Sequence, residues 1–130
     1  MAIDSRFSKD PTGKRTVCID FDGVVHKYSK GYYDGTIYDV PTQGVKEALK
    51  FLSEHYKLVL FTARIVVFEN GLEDTIRWLK KYDLYRYFSD ITATKIPAIA
   101  YIDDNAIKFK GDWKETILEL FRKQLESKGD

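Results

Sequence analysis

The segment TVCIDFDGVV, residues 16–25, places two aspartates one residue apart at the end of an apolar run. The β-branched and apolar residues before them predict a strand that is buried on both faces, as strands of parallel sheets are. Gly23 marks the end of this strand, so Asp20 and Asp22 lie at its carboxyl end, where open α/β sheets bind ligands. Because two carboxylates this close repel each other, we expect a cation between them.

The composition is that of a single small domain. The chain has 130 residues, with 21 Lys and Arg against 20 Asp and Glu, and a formal net charge of +1. This balance gives no reason to expect nucleic acid or an anionic membrane as an obligatory partner. Cys18 is the one cysteine, which excludes an intramolecular disulfide and fits a buried thiol in a reducing compartment.

The composition of individual segments predicts where the domain begins and where the protein is located. Residues 1–15 are polar and contain Pro11 and Gly13, which predicts a flexible or loosely docked arm before a single domain at residues 16–130. The chain shows no apolar run long enough to span a bilayer and no hydrophobic leader at its start. We therefore expect a cytoplasmic protein with no membrane partner.

Strands and helices alternate along the chain. Buried strands are predicted at residues 57–62, KLVLFT, and 98–102, AIAYI, and Thr42 is the expected N-cap of the first helix. Helical spacing is shown by Val45, Ala48, Leu49 and Leu52, by Leu72, Ile76 and Leu79, and by Trp113, Ile117, Leu120, Phe121 and Leu125. The alternation predicts an α/β fold, a three-layer sandwich with a mainly parallel central sheet.

Polar residues follow each predicted strand, and parallel strands bring their carboxyl ends to one edge of the sheet. They are Asp20 and Asp22 after the first strand, Thr62 and Arg64 after the second, and Asp103 and Asp104 after the third, which is preceded by Lys95. Oxygen ligands of this kind suit Mg²⁺, with Asp20, Asp103 and a backbone carbonyl near Asp22 as the predicted ligands. Thr62 is expected to bind a phosphoryl oxygen, and Lys95 to offset the remaining negative charge.

This set of groups suits phosphoryl transfer. A carboxylate at Asp20 is placed to attack phosphorus and form an aspartyl-phosphate. Asp22 would then give a proton to the leaving oxygen and later take one from water. Because the first of these tasks needs protonated Asp22, we expect surroundings that favour the protonated form.

Four motifs, in this order, resemble those of the haloacid dehalogenase-like (HAD) phosphohydrolase superfamily. They are VCIDFDGVV, LVLFTAR, the lysine of TATKIPAIA, and AIAYIDDNA, and they cover the chain from about residue 16 onward. The resemblance implies a Rossmann-like core, dependence on Mg²⁺, Asp20 as nucleophile, Asp22 as general acid and base, and Asp103 on the metal. It also places Thr62 and Lys95 on the phosphate, and we expect N–H groups of the loop at Gly23 to assist them.

The intervals in which this superfamily often carries a cap domain are too short for one here. We expect a capless member with an open site, which favours a large substrate or a pocket completed by a second subunit. The tyrosine-rich segment 26–40 is then a short flap, either in contact with substrate or simply packed on itself. One departure is Lys-Ile-Pro at 95–97, because the superfamily commonly places proline directly after the lysine.

Several residues have open roles. Arg64 either binds a second anionic group of the substrate or pairs with a surface acid, Asp104 orients a neighbouring group, and Asn105 belongs to the turn or the substrate site. His26 lies close to the site, although a lone loop histidine is usually polar surface. Tyr82, Tyr85 and Tyr87 either form a contact surface of a homo-oligomer or cover a helix end.

The sequence thus predicts a Mg²⁺-dependent phosphatase that cleaves a small phosphomonoester, such as a phosphorylated metabolite or a nucleotide. The alternatives are a phosphotransferase, a phosphatase of polynucleotide ends, and a non-catalytic module that binds phosphate. A signalling receiver domain fits poorly, because its lysine follows the acidic residues, whereas Lys95 precedes the final acidic pair.

Overall fold

The computed structural model describes residues 13–94, 98, 100–103 and 107–129, without the side chains of 103 and 124–129. Its strands are β1 (Arg15–Asp20), β2 (Tyr56–Phe61), β3 (Asp90–Thr92), β4 (Ala100–Asp103) and β5 (Ile107–Lys108). Its helices are α1 (Val45–His55), α2 (Arg64–Val67), α3 (Gly71–Lys81) and α4 (Trp113–Gly129), with a 3₁₀ helix at Tyr85–Tyr87.

The five strands form one parallel sheet in the order β3-β2-β1-β4-β5. β1 is the central strand, and Val17, Cys18 and Ile19 are fully buried. Helices flank this sheet, so the predicted α/β fold with a parallel sheet is confirmed. A parallel sheet with a buried central strand brings the carboxyl ends of β2, β1 and β4 to one edge.

The predicted helix faces contribute part of the core. On α1, Val45, Ala48, Leu49 and Leu52 are buried, and α1 packs against β2 and α4. Trp78 on α3 and Trp113 on α4 are also buried. Leu72 is an exception on α3, because 39 % of it is exposed.

The cap prediction at Thr42 is wrong. Helix α1 has Gly44 as its N-cap, in a left-handed conformation with φ 81° and without a side-chain hydrogen bond. The Thr42 hydroxyl instead donates to the Val24 carbonyl at 2.7 Å and accepts the Trp113 indole N–H at 3.0 Å. Thr42 therefore links the chain after β1 to α4 through the hydrogen bonds of its hydroxyl, a role that local capping rules do not predict.

The remaining differences lie in short elements. β3, β5 and α2 are not among the predicted elements, and each has four residues or fewer. β1 begins at Arg15, one residue before the predicted start of the domain, while residues 1–12 of the predicted arm lie outside the described residues. In the part of the chain that is described, no helix has the length and apolar character needed to cross a membrane.

Candidate functional site

Three predicted site residues occupy adjacent backbone positions at the carboxyl edge of the sheet. In the register of β1 and β2, Asp20 pairs with Phe61, which Thr62 follows directly. On the other side of β1, Ile19 pairs with Ile102, so Asp20 and Asp103 are the next residues of neighbouring strands. Such strands lie about 4.8 Å apart, and the sheet therefore brings the three motif ends together.

Thr62 is buried directly after β2. Its backbone N–H donates to the Thr92 carbonyl at 2.9 Å, which continues the ladder between β2 and β3. Its hydroxyl oxygen accepts the backbone N–H of Arg64 at 3.2 Å. With that oxygen used as an acceptor, the hydroxyl proton is oriented away from the start of α2.

Asp22 is held by a guanidinium group. Nε of Arg64 donates to both carboxylate oxygens of Asp22, at 2.9 and 3.2 Å, and Nη2 donates to Oδ1 at 3.1 Å. The Arg64 side chain is only 7 % exposed, against 26 % for Asp22. This forked, charge-assisted contact fixes the plane of the carboxylate as well as its position. Arg64 thus pairs with an acid, as one of its two interpretations predicted, but that acid is the partly buried Asp22 of the site and not a surface carboxylate.

His26 is the second partner of Asp22, and it is fully buried. Its Nδ1 lies 2.8 Å from Oδ1 of Asp22, and its Nε2 accepts the backbone N–H of Asp39 at 3.1 Å. Because Nε2 accepts a hydrogen bond, it carries no proton, and Nδ1–H is the donor to Asp22. Of the two interpretations of His26, polar surface is wrong, because the side chain is fully buried, and a position at the site is the one that its contact with Asp22 supports.

The surroundings of Asp22 favour the carboxylate. Partial burial raises the pKa of Asp22, but hydrogen bonds from His26 and Arg64 and the positive charge of Arg64 outweigh it, and the pKa lies below its ordinary 3.8. The expectation of surroundings that favour the protonated form is therefore wrong for this arrangement. The physical reason is that both nearest partners are donors, which stabilise the ionised form.

The flap, residues 26–40, is anchored by the same arginine. Nη1 of Arg64 donates to the Gly35 carbonyl at 2.8 Å, and Nη2 approaches the Thr36 carbonyl at 3.5 Å. A Cβ at Gly35 would lie 3.3 Å from the Phe68 ring, and φ is +85° there. Glycine thus allows the flap to approach α2 closely.

The flap tyrosines pack on one another and on neighbouring rings. The Tyr38 ring lies 5.4 Å from the His26 ring and 5.2 Å from the Tyr33 ring, while Tyr32 stacks on Phe68 at 6.2 Å. Tyr32 and Tyr33 remain more than half exposed. A cavity of about 460 Å³ lies between the flap and helices α2 and α3, with Gly35, Arg64, Phe68 and Trp78 in its wall.

The tyrosines after α3 cover a helix end. Tyr82 and Tyr87 are partly buried against the core, and the Tyr82 ring lies 4.9 Å from the Trp78 ring. Tyr85 is exposed at 39 %. These contacts support packing on the helix end, and a contact surface of a homo-oligomer stays a prediction.

The backbone at Gly23 has a structural role. Its N–H donates to the His26 carbonyl at 2.8 Å, and its φ is +85°. The turn requires a residue that tolerates this conformation, which glycine does. Because this N–H is already donated within the turn, the arrangement does not support Gly23 as the predicted phosphate donor.

The predicted metal site is described only in part. Lys95, Asp104 and Asn105 lie outside the described residues, as does the side chain of Asp103. Among the side chains that are described, no group of three or more His, Cys, Asp and Glu residues is arranged to hold a metal ion. The Asp22 carboxylate is occupied by Arg64 and His26, so Asp22 would serve a metal through its backbone carbonyl rather than its side chain. Asp20 and Asp103, at adjacent strand ends, have the oxygen chemistry that Mg²⁺ requires.

Comparison of this chain with models of protein families, with curated proteins and with solved structures found no match.

Proposed function

We propose that this protein is a Mg²⁺-dependent phosphomonoester phosphatase with a Rossmann-like core, a small capless member of the HAD superfamily. The observation that carries the proposal is the register of the central strands, which brings Thr62, Asp20 and Asp103 to neighbouring backbone positions at one edge of the sheet. Residues from three separate motifs meet there, and this edge is where α/β sheets bind their ligands.

In the proposed reaction, an oxygen of Asp20 attacks phosphorus and forms an aspartyl-phosphate while the bond from phosphorus to the leaving oxygen breaks. Water then attacks the same phosphorus, which releases inorganic phosphate and restores Asp20. Thr62 lies beside Asp20 with its hydroxyl proton available to a phosphoryl oxygen, since its oxygen already accepts the N–H of Arg64.

Asp22 handles the protons of the proposed reaction. As a carboxylate that accepts hydrogen bonds from Arg64 and His26, it suits the hydrolytic half, in which it removes a proton from the attacking water. Protonation of the leaving oxygen in the first half needs Asp22 in its acid form, which the hydrogen bonds from His26 and Arg64 disfavour, so the arrangement supports this role less than the role as base. The chemistry at Asp22 is therefore most important for leaving groups that require a proton.

Asp20, Asp103 and the backbone carbonyl of Asp22 are the residues that would hold Mg²⁺, and Lys95 completes the proposed set. A bound Mg²⁺ supplies charge neutralisation at the phosphoryl oxygens. The described residues contribute an ordered Thr62 hydroxyl and an Asp22 carboxylate with fixed orientation to the proposed site.

The substrate side of the proposed site is formed by the flap. Residues 21–44 are all described, and they hold turns and isolated bridges with no further helix or extended strand. We propose a small phosphorylated metabolite or a nucleotide as substrate, in a cytoplasmic setting.

The experiment that tests this proposal measures phosphate release from an activated aryl phosphate and from a panel of sugar and nucleotide phosphates. Each substrate is tested with Mg²⁺ and with EDTA, for the wild-type protein and for Asp20→Asn. We expect metal-dependent release that is abolished in the variant, while the circular dichroism spectrum of the variant stays that of the wild type. Full activity in Asp20→Asn would refute the assignment of the nucleophile.

A further inference from the structure

A single buried side chain, Arg64, joins three separate segments of the chain. It contacts Asp22 after β1, the carbonyls of Gly35 and Thr36 in the flap, and, through its backbone N–H, Thr62 after β2. Its guanidinium carbon also lies 5.7 Å from the centre of the Phe68 ring. Together with His26, which contacts both Asp22 and the Asp39 N–H, Arg64 therefore holds the flap and the acidic edge of the sheet in one arrangement.

The geometry uses the shape of the guanidinium group and not only its charge. Nε and Nη2 form one edge of the planar fork and face the Asp22 carboxylate, while Nη1 donates to the Gly35 carbonyl at 2.8 Å. A lysine carries the same charge on a single nitrogen and has no fixed fork. It can neutralise Asp22, but it cannot hold the carboxylate plane and the flap carbonyl together.

The acceptors on the two sides of the Arg64 guanidinium differ chemically. Asp22 is charged and remains 26 % exposed, whereas the flap offers neutral carbonyls that reach Arg64 only while the loop lies against α2. Gly35 permits that approach, because its backbone has φ +85° and a Cβ there would lie 3.3 Å from the Phe68 ring. The position of the flap thus determines how firmly the guanidinium, and with it Asp22, is oriented.

We infer that Arg64 is a positioning residue that couples the flap to the orientation of the Asp22 carboxylate. The inference rests on the proposed phosphatase function and extends it, since it makes the flap part of the machinery for proton transfer. Arg64 acts through Asp22 and touches no reacting atom. His26 contacts the same carboxylate, with Nδ1 2.8 Å from Oδ1.

The test compares Arg64→Gln and Arg64→Lys with the control Arg86→Gln. Arg86 also pairs with an aspartate, Asp83 at 3.1 Å, but both side chains of that pair are more than half exposed. Kinetics on the best phosphate ester of the panel and hydrogen exchange at the flap amides are measured for all four proteins. The amides of Gly35 and Asp39 are the most informative, because both donate hydrogen bonds within the flap region.

For Arg64→Gln we expect kcat to fall about 100-fold with KM changed less than about threefold, because positioning partners of reacting groups have effects of that size. The exchange rates of the Gly35 and Asp39 amides should rise together with this loss. Arg64→Lys should recover little of the lost kcat, and Arg86→Gln should match the wild type in both measurements.

The outcomes separate the inference from the function on which it rests. Wild-type kcat in Arg64→Gln, or full recovery in Arg64→Lys, would overturn the positioning role while leaving the phosphatase function intact. If the wild type cleaves no ester, the proposed function fails and the positioning role with it, and hydrogen exchange then reports only whether Arg64 anchors the flap. If neither Arg64 variant folds, Arg64 is a purely structural residue, which also overturns the inference.

Discussion

The substitution Asp22→Asn should destabilise the fold, because it removes the charge that balances a buried guanidinium. In the native arrangement Asp22 accepts three contacts from Arg64 and one from His26, at 2.8 to 3.2 Å. An asparagine has one acceptor oxygen and presents an NH₂ group to the remaining donors. Arg64 would then have only neutral acceptors, namely the one amide oxygen at position 22 and the flap carbonyls.

The size of the effect follows from the burial of the two partners. Breaking a fully buried ion pair by removing one partner is destabilising by about 3 to 5 kcal/mol. Arg64 is 7 % exposed and Asp22 is 26 % exposed, so solvent screens part of this, and we expect a loss of about 2 kcal/mol. With a urea m-value of about 1.5 kcal/mol/M, the midpoint should fall by about 1.3 M.

The assay is urea unfolding at neutral pH, followed by circular dichroism and tryptophan fluorescence. Asp83→Asn is the matched control, since Asp83 pairs with Lys46 at 2.8 Å and Arg86 at 3.1 Å on the surface. Asp83 has φ 59°, a conformation that asparagine tolerates, so this control should keep the wild-type midpoint. Equal midpoints for the two variants would refute the claim that the Asp22 contact stabilises the fold.

Three further predictions concern the same region. The folded-state pKa of Asp22 lies below its unfolded value of 3.8. The stability that ionised Asp22 contributes is therefore present above pH 3.8 and is lost as the pH falls through the folded pKa. The urea midpoints of wild type and Asp22→Asn should converge over that pH range. Gly71→Ala should lower the thermal midpoint, since a Cβ there overlaps the Arg64 carbonyl and the clash exceeds the roughly 1 kcal/mol gain in helix propensity. Asp22→Asn should slow turnover least for esters whose leaving groups need no proton, and equal losses on activated and unactivated esters would count against its acid role.

The central strands could be predicted from the sequence because their signals are local. β1 and β2 are continuous apolar runs that end in polar residues, and burial on both faces of a parallel sheet produces such runs. β3 has three half-exposed or exposed residues. It pairs with β2 at the edge of the sheet, and nothing in its own composition predicts that pairing. Short edge strands of this kind leave little pattern in a sequence.

Some features of the site could likewise be predicted from the sequence, and others could not. Asp20, Thr62 and Asp103 could be placed at one edge because each ends a strand, and strand ends are visible in the sequence. Arg64 and Asp22 are 42 residues apart in the sequence, and no sequence periodicity predicts such a pairing. His26 lies only four residues from Asp22, yet its burial depends on a turn whose shape is set by the hydrogen bonds of the backbone around Gly23.

The measurement that tests the central claim most directly is the detection of a phosphoryl group on Asp20 during turnover. The wild-type protein is mixed with its best ester and Mg²⁺, quenched in acid within a single turnover, digested and analysed by mass spectrometry. We expect one phosphorylated peptide, with the group on Asp20, and none from Asp20→Asn. Turnover without a phosphorylated peptide, or with the group on another residue, would contradict the claim that Asp20 is the nucleophile.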